Sequence, residues 1–463
     1  MSTNLTDTII ALSTPPGEGA IAVIRLSGPK AISLVDAQFF GANLEQSEAN
    51  TVHYGKIKDT KGVILDECLA TIFKAPRSYT KEDVVEISCH GSQYIIQKII
   101  ELFLEKGARA ATPGEFTLRA FLNGQLDLTQ AEAVADLIAS QSESQHQLAI
   151  NQMRGGVSKM ISSLRSQLIE FASLIELEND FGEEDVEFAD RQGLKDLVNK
   201  ILNVILELQN SFKYGNAVKE GVAVAIIGAP NVGKSTLLNT LLNEDRAIVS
   251  DIAGTTRDVI EDSIQIDGIL FRFLDTAGLR DTKDQIESIG IEKTKEQVAK
   301  AQIILFVVEI EEDHNNIIEA YKKIPLKESQ TSIIILNKSD AFHTCHSYDV
   351  EEAVSTLTSM TPCIAISAKE KTHVDKIKNQ LVDLVRNFKT QASTVLSNTR
   401  HFEALNQTKT SLEQVITGLD NQVPSDLIAM DIRHALHYLG EISGEISTDD
   451  LLESIFSNFC IGK

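Results

Sequence analysis

Three textures of hydrophobic patterning succeed one another along the chain. Residues 20–26, 69–73 and 84–87 are short apolar runs of β character divided by Gly/Pro turns, and residues 95–106 carry helical spacing. That mixture predicts a small α/β domain over residues 1–122. From Leu128 the period lengthens to a helical one. Thr129-Gln-Ala-Glu132 fits a capping box, in which hydroxyl and carboxylate satisfy free amides at a helix start, and Ala131, Val134, Ala135 and Ile138 then share one face. Ile161, Leu164, Leu168, Phe171 and Ile175 are spaced as in a bundle helix, and Leu194, Leu197, Val198, Ile201, Leu202, Ile205 and Leu208 repeat the theme. The theme returns with Phe402, Leu405, Leu412, Val415, Ile416 and Leu419, and again with Leu451, Leu452, Ile455, Phe456 and Phe459. One helical domain built from residues 123–218 and 382–463, interrupted by an insertion over 219–381, is therefore expected.

Within the insertion, apolar runs at 222–227, 271–274, 303–308, 333–336 and 363–366 alternate with helical stretches. Continuous Val/Ile/Leu runs between helices predict a mostly parallel sheet covered on both faces. The whole is a multidomain α/β protein. Its 463 residues exceed one ordinary core, and 43% hydrophobic with 24% charged residues is the balance of a soluble globular chain. No apolar run is long enough to span a bilayer, and the first residues lack the basic start and apolar block of a signal peptide. Cys68, Cys89, Cys345, Cys363 and Cys460 form no C-x-x-C pair, so a reducing cytoplasm is the expected home. The net charge of −23 changes the picture more. It repels phosphate backbones at long range, so any action on nucleic acid needs a local patch or a basic partner; acidity that serves only solubility is the other reading.

Gly228-Ala-Pro-Asn-Val-Gly-Lys-Ser235 follows an apolar run and precedes the helical pattern at 237–242. Strand, glycine loop and helix are the setting in which this motif cradles phosphates. Backbone amides of Asn231, Val232, Gly233, Lys234, Ser235 and Thr236 close on phosphate oxygens at a helix N-terminus, Lys234 reaches the β and γ phosphates, and Ser235 ligates Mg²⁺. Asn337-Lys338-Ser-Asp340 ends one apolar run and Ser367-Ala368-Lys369 ends the next, where open α/β sheets bind ligands. A carboxylate at Asp340 accepts both N1–H and the 2-amino group of guanine, donors that adenine lacks there, so the expected nucleotide is GTP. Asp275-Thr276-Ala277-Gly278 places a carboxylate near Mg²⁺ and a glycine amide near the γ phosphate. In Asp251-Ile252-Ala253-Gly254-Thr255-Thr256-Arg-Asp258, Thr256 is the second hydroxyl for the metal. Leu279 stands where Ras-like GTPases carry a water-orienting glutamine. Glu287 is the candidate substitute; a solvated surface glutamate is the other reading of it.

Gly-x-Pro-Asn-x-Gly-Lys-Ser, Asp-Ile-Ala-Gly-Thr-Thr-Arg-Asp and Asp-Thr-Ala-Gly-Leu-Arg together resemble the TRAFAC-class GTPases of the MnmE/Era/Der group. Thr14-Pro-Pro-Gly-Glu-Gly19, Ser78-Tyr-Thr-Lys-Glu-Asp83, Pro113-Gly-Glu-Phe-Thr117 and Arg119-Ala-Phe-Leu-Asn123 narrow the likeness, as do Leu126-Asp-Leu-Thr-Gln-Ala-Glu-Ala133 and Phe459-Cys-Ile-Gly-Lys463. Over essentially its whole length the chain is similar to the MnmE (TrmE) family, GTPases of tRNA wobble-uridine modification. The resemblance implies an inserted Ras-like GTPase domain and a homodimer through a first domain that binds formyl- or methylene-tetrahydrofolate. It also implies an FAD-dependent partner, MnmG, with which a carboxymethylaminomethyl or aminomethyl group is installed at C5 of the uridine. A basic partner that grips tRNA would reconcile that activity with the acidic charge.

Carried over to matching positions, the resemblance implies a K⁺ site from Asn231, Ser250, Ile252 and Thr255, and makes Glu287 the water-positioning carboxylate. Ser250 replaces a common threonine and keeps both oxygens. For folate it implies Arg25, Glu86, Lys463 and, where some members have lysine, Gln125. Lys81 stands where the family often has glycine, in Ser-Tyr-Thr-Gly-Glu-Asp. Cys460 is either a nucleophile or acid–base group for the uridine chemistry, or a thiol packed at a helix end. Cys89 and His90 are expected to support the first domain. An RNA-binding ribosome-assembly switch without modification chemistry is the alternative, although no basic RNA-binding segment is recognisable.

Overall fold

The computed structural model describes residues 6–180, 191–245, 262–274, 295–327, 330–341, 361–387, 394–457 and 459–462. Two compact units divide the chain. Residues 1–135, 151–198 and 407–463 make one, and residues 136–150 and 199–406 the other.

In the first unit, β1 (Ile9–Leu12), β2 (Gly19–Ser27), β3 (Phe39–Phe40), β4 (Thr51–Lys58), β5 (Ile64–Phe73), β6 (Val84–Gly91) and β7 (Arg109–Ala110) form a sheet of order β3-β4-β5-β6-β2-β1-β7. Its neighbours are antiparallel except for the β1–β7 pair. Helices α1 (Ala31–Asp36) and α2 (Gln93–Glu105) cover one face, with Ile96, Ile99, Leu102 and Phe103 of α2 packed among Ile24, Leu26, Ile72 and Ile87. The buried positions of α2 recur every three or four residues, the spacing that predicted it. Cys68 and Cys89 are buried in this core, and burial raises their thiols to about 12 and about 11. His90 is tied by its backbone N–H to Asp66 Oδ2 at 2.8 Å.

Helices α3 (Glu115–Leu122), α4 (Leu128–Ala139), α5 (Glu143–Met153), α6 (Gly156–Asp180) and α7 (Arg191–Glu220) follow. The start of α4 corrects the expected cap. Asp127 Oδ1 accepts from Gln130 N at 2.9 Å while Gln130 Oε1 accepts from Asp127 N at 3.0 Å, so the reciprocal box is Asp127–Gln130. Thr129 already lies inside the helix, its hydroxyl donating to Asp127 Oδ1 at 2.6 Å. An aspartate satisfies these amides as well as a threonine does, and the two-residue shift leaves Thr129 free to pack against Ser158. The apolar face of α4 is also shorter than its pattern, because Ile138 is exposed.

Three buried or half-buried stretches that carried the family resemblance converge on one ion network. Fully buried Arg119 of α3 donates to Asp7 Oδ1 at 2.5 Å, Glu115 Oε1 at 3.0 Å and Glu82 Oε1 at 3.2 Å, and Arg109 bridges Asp7 and Glu115. Asn123 Nδ2 donates to the Thr80 carbonyl at 2.7 Å, and the Tyr79 and Thr117 hydroxyls lie 2.8 Å apart. Lys81 has φ 59°, a left-handed backbone that a glycine adopts without strain. Its ammonium donates to the Gly124 carbonyl at 2.7 Å, a bond glycine could not make.

Later helices close the first unit. Arg165 of α6 donates to the Leu436 carbonyl of α12 (Ser425–Ser443) and pairs with Glu445, and Lys195 of α7 pairs with Asp420 of α11 (Thr399–Asp420). The chain ends beyond α13 (Asp449–Phe456), where Phe456 and Phe459 pack with Leu128 and Ala131.

The second unit holds β8 (Val222–Ile227), β9 (Asp262–Ile266), β10 (Ile269–Phe273), β11 (Ile303–Glu309), β12 (Thr331–Asn337) and β13 (Cys363–Ala365), in the order β13-β12-β11-β8-β10-β9. All neighbours are parallel except β9, which runs antiparallel to β10. Helices α8 (Lys234–Asp245), α9 (His314–Lys322) and α10 (Val374–Arg386) accompany them. Every residue of β8 is buried, as a strand between two covered faces requires. The apolar pattern omitted β9. Its signal was the Asp267-Gly268 dipeptide, whose φ values of 50° and 75° make the tight turn preferred by two-residue hairpins. Among the described residues no helix is long and apolar enough to cross a membrane.

Candidate functional site

Strand β8 runs into Gly228, whose φ is 151° and whose missing Cβ would lie 2.1 Å from the Val307 carbonyl oxygen. Only glycine fits so close to the next strand. Asn231 follows at φ 65° and Gly233 at φ 96°, and a Cβ on Gly233 would lie 2.2 Å from Asn337 Nδ2. Helix α8 begins directly after. The loop is thus a backbone cradle at a helix N-terminus, the arrangement that binds phosphate. Lys234 Nζ donates to the carbonyls of Gly228 at 2.9 Å and Ala229 at 2.6 Å, so the ammonium lies within the curl of the loop. Burial holds its pKa below the usual lysine range.

The far wall is built by one buried side chain. Asn337, at the end of β12, donates from Nδ2 to the Val232 carbonyl at 2.8 Å and accepts at Oδ1 from Ala368 N at 2.9 Å. A single amide thereby joins the phosphate loop to the turn after β13. Ser367 Oγ donates to Asp340 Oδ1 at 2.6 Å and accepts from Glu370 N at 3.1 Å, fixing that carboxylate against the same turn. Lys338, at φ 66°, pairs with Glu309 from the end of β11. Asn231, Val232, Gly233, Lys234, Ser235, Thr236, Asn337, Lys338, Asp340, Ser367, Ala368 and Lys369 therefore gather beyond the carboxyl ends of β8, β12 and β13. Ser250, Asp251, Ile252, Ala253, Gly254, Thr255 and Thr256 lie outside the described residues, as do Asp275, Thr276, Ala277, Gly278 and Glu287. Sequence reasoning missed Glu309, which belongs to no motif.

A second constellation lies in the first unit. Arg25 on β2 faces Glu86 on β6 across one registered pair, with Nε and Nη2 at 2.8 and 2.7 Å from Glu86 Oε1. The guanidinium carbon stands 5.5 Å from the Tyr79 ring centroid and 5.6 Å from that of Phe116. The C-terminal tail returns to this place. The Gly462 carbonyl accepts from Ser13 Oγ at 3.2 Å and from Arg25 Nη1 at 3.5 Å, and a Cβ on Gly462 would lie 2.1 Å from the Leu12 carbonyl. Cys460 is exposed, and its carbonyl accepts from Gly114 N at 3.4 Å. Gln125 sits just past α3, its backbone N–H donating to the Ala120 carbonyl at 2.8 Å; Lys463 lies outside the described residues.

Residues 8–125 match the family described as the GTP-binding protein TrmE N-terminus, and residues 128–460 match the MnmE helical domain. A tRNA modification GTPase MnmE of Cytophaga hutchinsonii is 51% identical over 464 residues, covering 100% of this chain and 99% of that protein. Its counterpart in Flavobacterium psychrophilum is 52% identical over 469 residues, covering 99% of each. Among solved structures, Aquifex aeolicus Era bound to GDP and AlF4⁻ is 25% identical, covering 41% of this chain and 66% of that one, with a TM-score of 0.27. On the two family matches and the full-length identity, the chain belongs to the MnmE family of GTPases.

Proposed function

We propose that this chain is a K⁺-dependent GTP hydrolase that acts as a homodimer. With the FAD-dependent protein MnmG it modifies the wobble uridine of tRNA at C5 to carboxymethylaminomethyl or aminomethyl, drawing a one-carbon unit from tetrahydrofolate. The observation that carries this reading is the union, in one chain, of the Asn337-clamped phosphate loop with a first unit whose Arg25–Glu86 pair receives the C-terminal tail.

The described residues of these sets carry the chemistry that the assigned groups need. The two glycines at which a Cβ would collide let the loop close against Val307 and Asn337, Lys234 Nζ sits within its curl, and in this reading the loop amides take the β and γ phosphates while Asp340 accepts from the guanine edge. Ser235 and Thr256 are the Mg²⁺ ligands of this reading, and Asn231, Ser250, Ile252 and Thr255 those of K⁺. When bound, K⁺ offsets charge on the leaving phosphate, the work an arginine finger does elsewhere. Glu287 orients the attacking water. In the first unit Arg25 donates to the folate and Glu86 accepts from its pterin, with Gln125 and Lys463 as the further folate contacts of this reading. Cys460, whose thiol is exposed, is the candidate for acid–base or nucleophilic work.

GTP hydrolysis by the full-length chain in KCl is expected to exceed that in NaCl at equal ionic strength by tenfold or more, on the order of the electrostatic effects seen at such sites. Equal rates would remove the ion from the mechanism and leave a plain GTPase. For the homodimer, a second copy is assigned to the outward face of β4 and β5, where Tyr54 is 63% exposed opposite exposed Leu69, beside exposed Val52. Tyr54→Asp is expected to shift the protein from dimer to monomer in sedimentation velocity while leaving GDP affinity unchanged. A variant that stays dimeric would place the interface elsewhere.

A further inference from the structure

Thr240 lies in the second turn of α8 and is 5% exposed. Its hydroxyl lies 2.9 Å from the Thr236 carbonyl and 3.0 Å from the Ala368 carbonyl. The first contact is available to any threonine inside a helix. The second is supplied by the fold, across 128 positions of sequence. Both backbone polar groups of Ala368 are thereby engaged, the N–H by Asn337 Oδ1 and the carbonyl by Thr240 Oγ1. The turn itself is closed by paired bonds between Ser367 and Thr372 at 3.1 and 3.0 Å, and Ser367 Oγ holds Asp340. The helix that starts at Lys234 therefore reaches directly to the turn that orients the base-reading carboxylate.

We infer that Thr240 is a specificity-determining positioning residue, whose hydroxyl sets the turn at 367–369 in register with the phosphate loop so that Asp340 meets the guanine edge. The inference rests on the guanine-nucleotide reading above. Ser367 and Ala368 are buried, so the Ala368 carbonyl loses its hydroxyl donor in a dry place when the Thr240 side chain is made apolar. The turn then relaxes toward another donor and carries Ser367 and Asp340 with it. Phosphate contacts, made by the loop and the first turn of α8, are unchanged.

The test is the full-length Thr240→Val variant, nearly isosteric and without the hydroxyl, beside Thr240→Ser, which keeps it. KM and kcat are measured for GTP and for ITP, whose base lacks the 2-amino group, and melting temperatures are recorded. In T240V the KM for GTP is expected to rise about fivefold, the scale of one lost hydrogen bond, with kcat unchanged. The KM for ITP is expected to move less, so the preference for GTP shrinks, and T240S restores it. Equal rises for GTP and ITP, or no rise in a variant that melts like the parent, would overturn the inference. A parent protein that shows no preference for GTP over ITP would instead overturn the guanine reading beneath it, before any substitution is made.

Discussion

Replacing Asn337 with alanine is expected to weaken GDP binding by two to three orders of magnitude. The side chain is 2% exposed and makes two bonds that close the site from opposite sides, one to the Val232 carbonyl and one from Ala368 N. Truncation leaves a buried acceptor and a buried donor without their partner. Each such orphan costs about 1–3 kcal/mol, and about 1.4 kcal/mol is a factor of ten in binding. Asn337→Asp does not rescue, because its carboxylate keeps the acceptor for Ala368 but turns a second oxygen toward the Val232 carbonyl. Titration of a fluorescent GDP analogue gives the dissociation constant, and circular dichroism shows whether the fold survives. A loss below tenfold in a folded variant would mean that the phosphate loop and the turn hold their positions independently. Because Thr240 grips the same residue, Asn337→Ala and Thr240→Val are expected to combine non-additively, as substitutions sharing a partner do.

The phosphate loop was legible because its chemistry is local: a strand, two obligatory glycines and a helix start lie within fifteen consecutive residues, and their order is diagnostic. Asn337 and Ser367-Ala368-Lys369 were legible for a related reason, since each ends an apolar run and strand ends in an open sheet are where ligands bind. Thr240 was not. A threonine in an amphipathic helix is uninformative until the fold brings a carbonyl from another element to 3.0 Å. The cap of α4 failed in a different way. Asp127 and Thr129 are both good capping residues with a suitable partner three positions on, and packing of Thr129 against Ser158 decides between them. Strand β9 was overlooked because Asp262-Ser-Ile-Gln-Ile266 is short and half polar, and only its turn marked it. The meeting of the C-terminus with Arg25 rests on Gly462, where any side chain would strike the Leu12 carbonyl. The pattern around Gly462 is too short to announce such a long-range contact.

Arg119→Ala is expected to destabilise the protein by about 3–5 kcal/mol at neutral pH, because it removes one partner of a buried ion network and leaves Asp7 and Glu115 to Arg109 alone. Arg119 is fully buried, and Glu115 beside it is equally inaccessible. Burial alone would raise the Glu115 carboxyl, but bonds from Arg109, Thr112 N–H and Arg119 outweigh it and hold its pKa below the ordinary value of 4.5. Asp7 is held below 3.8 in the same contest of burial against Arg109 and Arg119. A carboxyl whose folded pKa is depressed contributes stability that is present above its unfolded pKa and is lost as pH falls through the folded one. The parent protein is therefore expected to lose this contribution as pH drops below about 4.5. The variant keeps less of it. Without Arg119 only Arg109 remains beside Asp7 and Glu115, so their carboxyls are lowered less and the deficit between variant and parent narrows as pH falls from 7 through about 4.5. Differential scanning fluorimetry across that range measures the gap. A gap independent of pH would show that Arg119 acts by filling space between α3 and the sheet, and that its charge contributes nothing to holding Ser78–Asp83 and Pro113–Thr117 together.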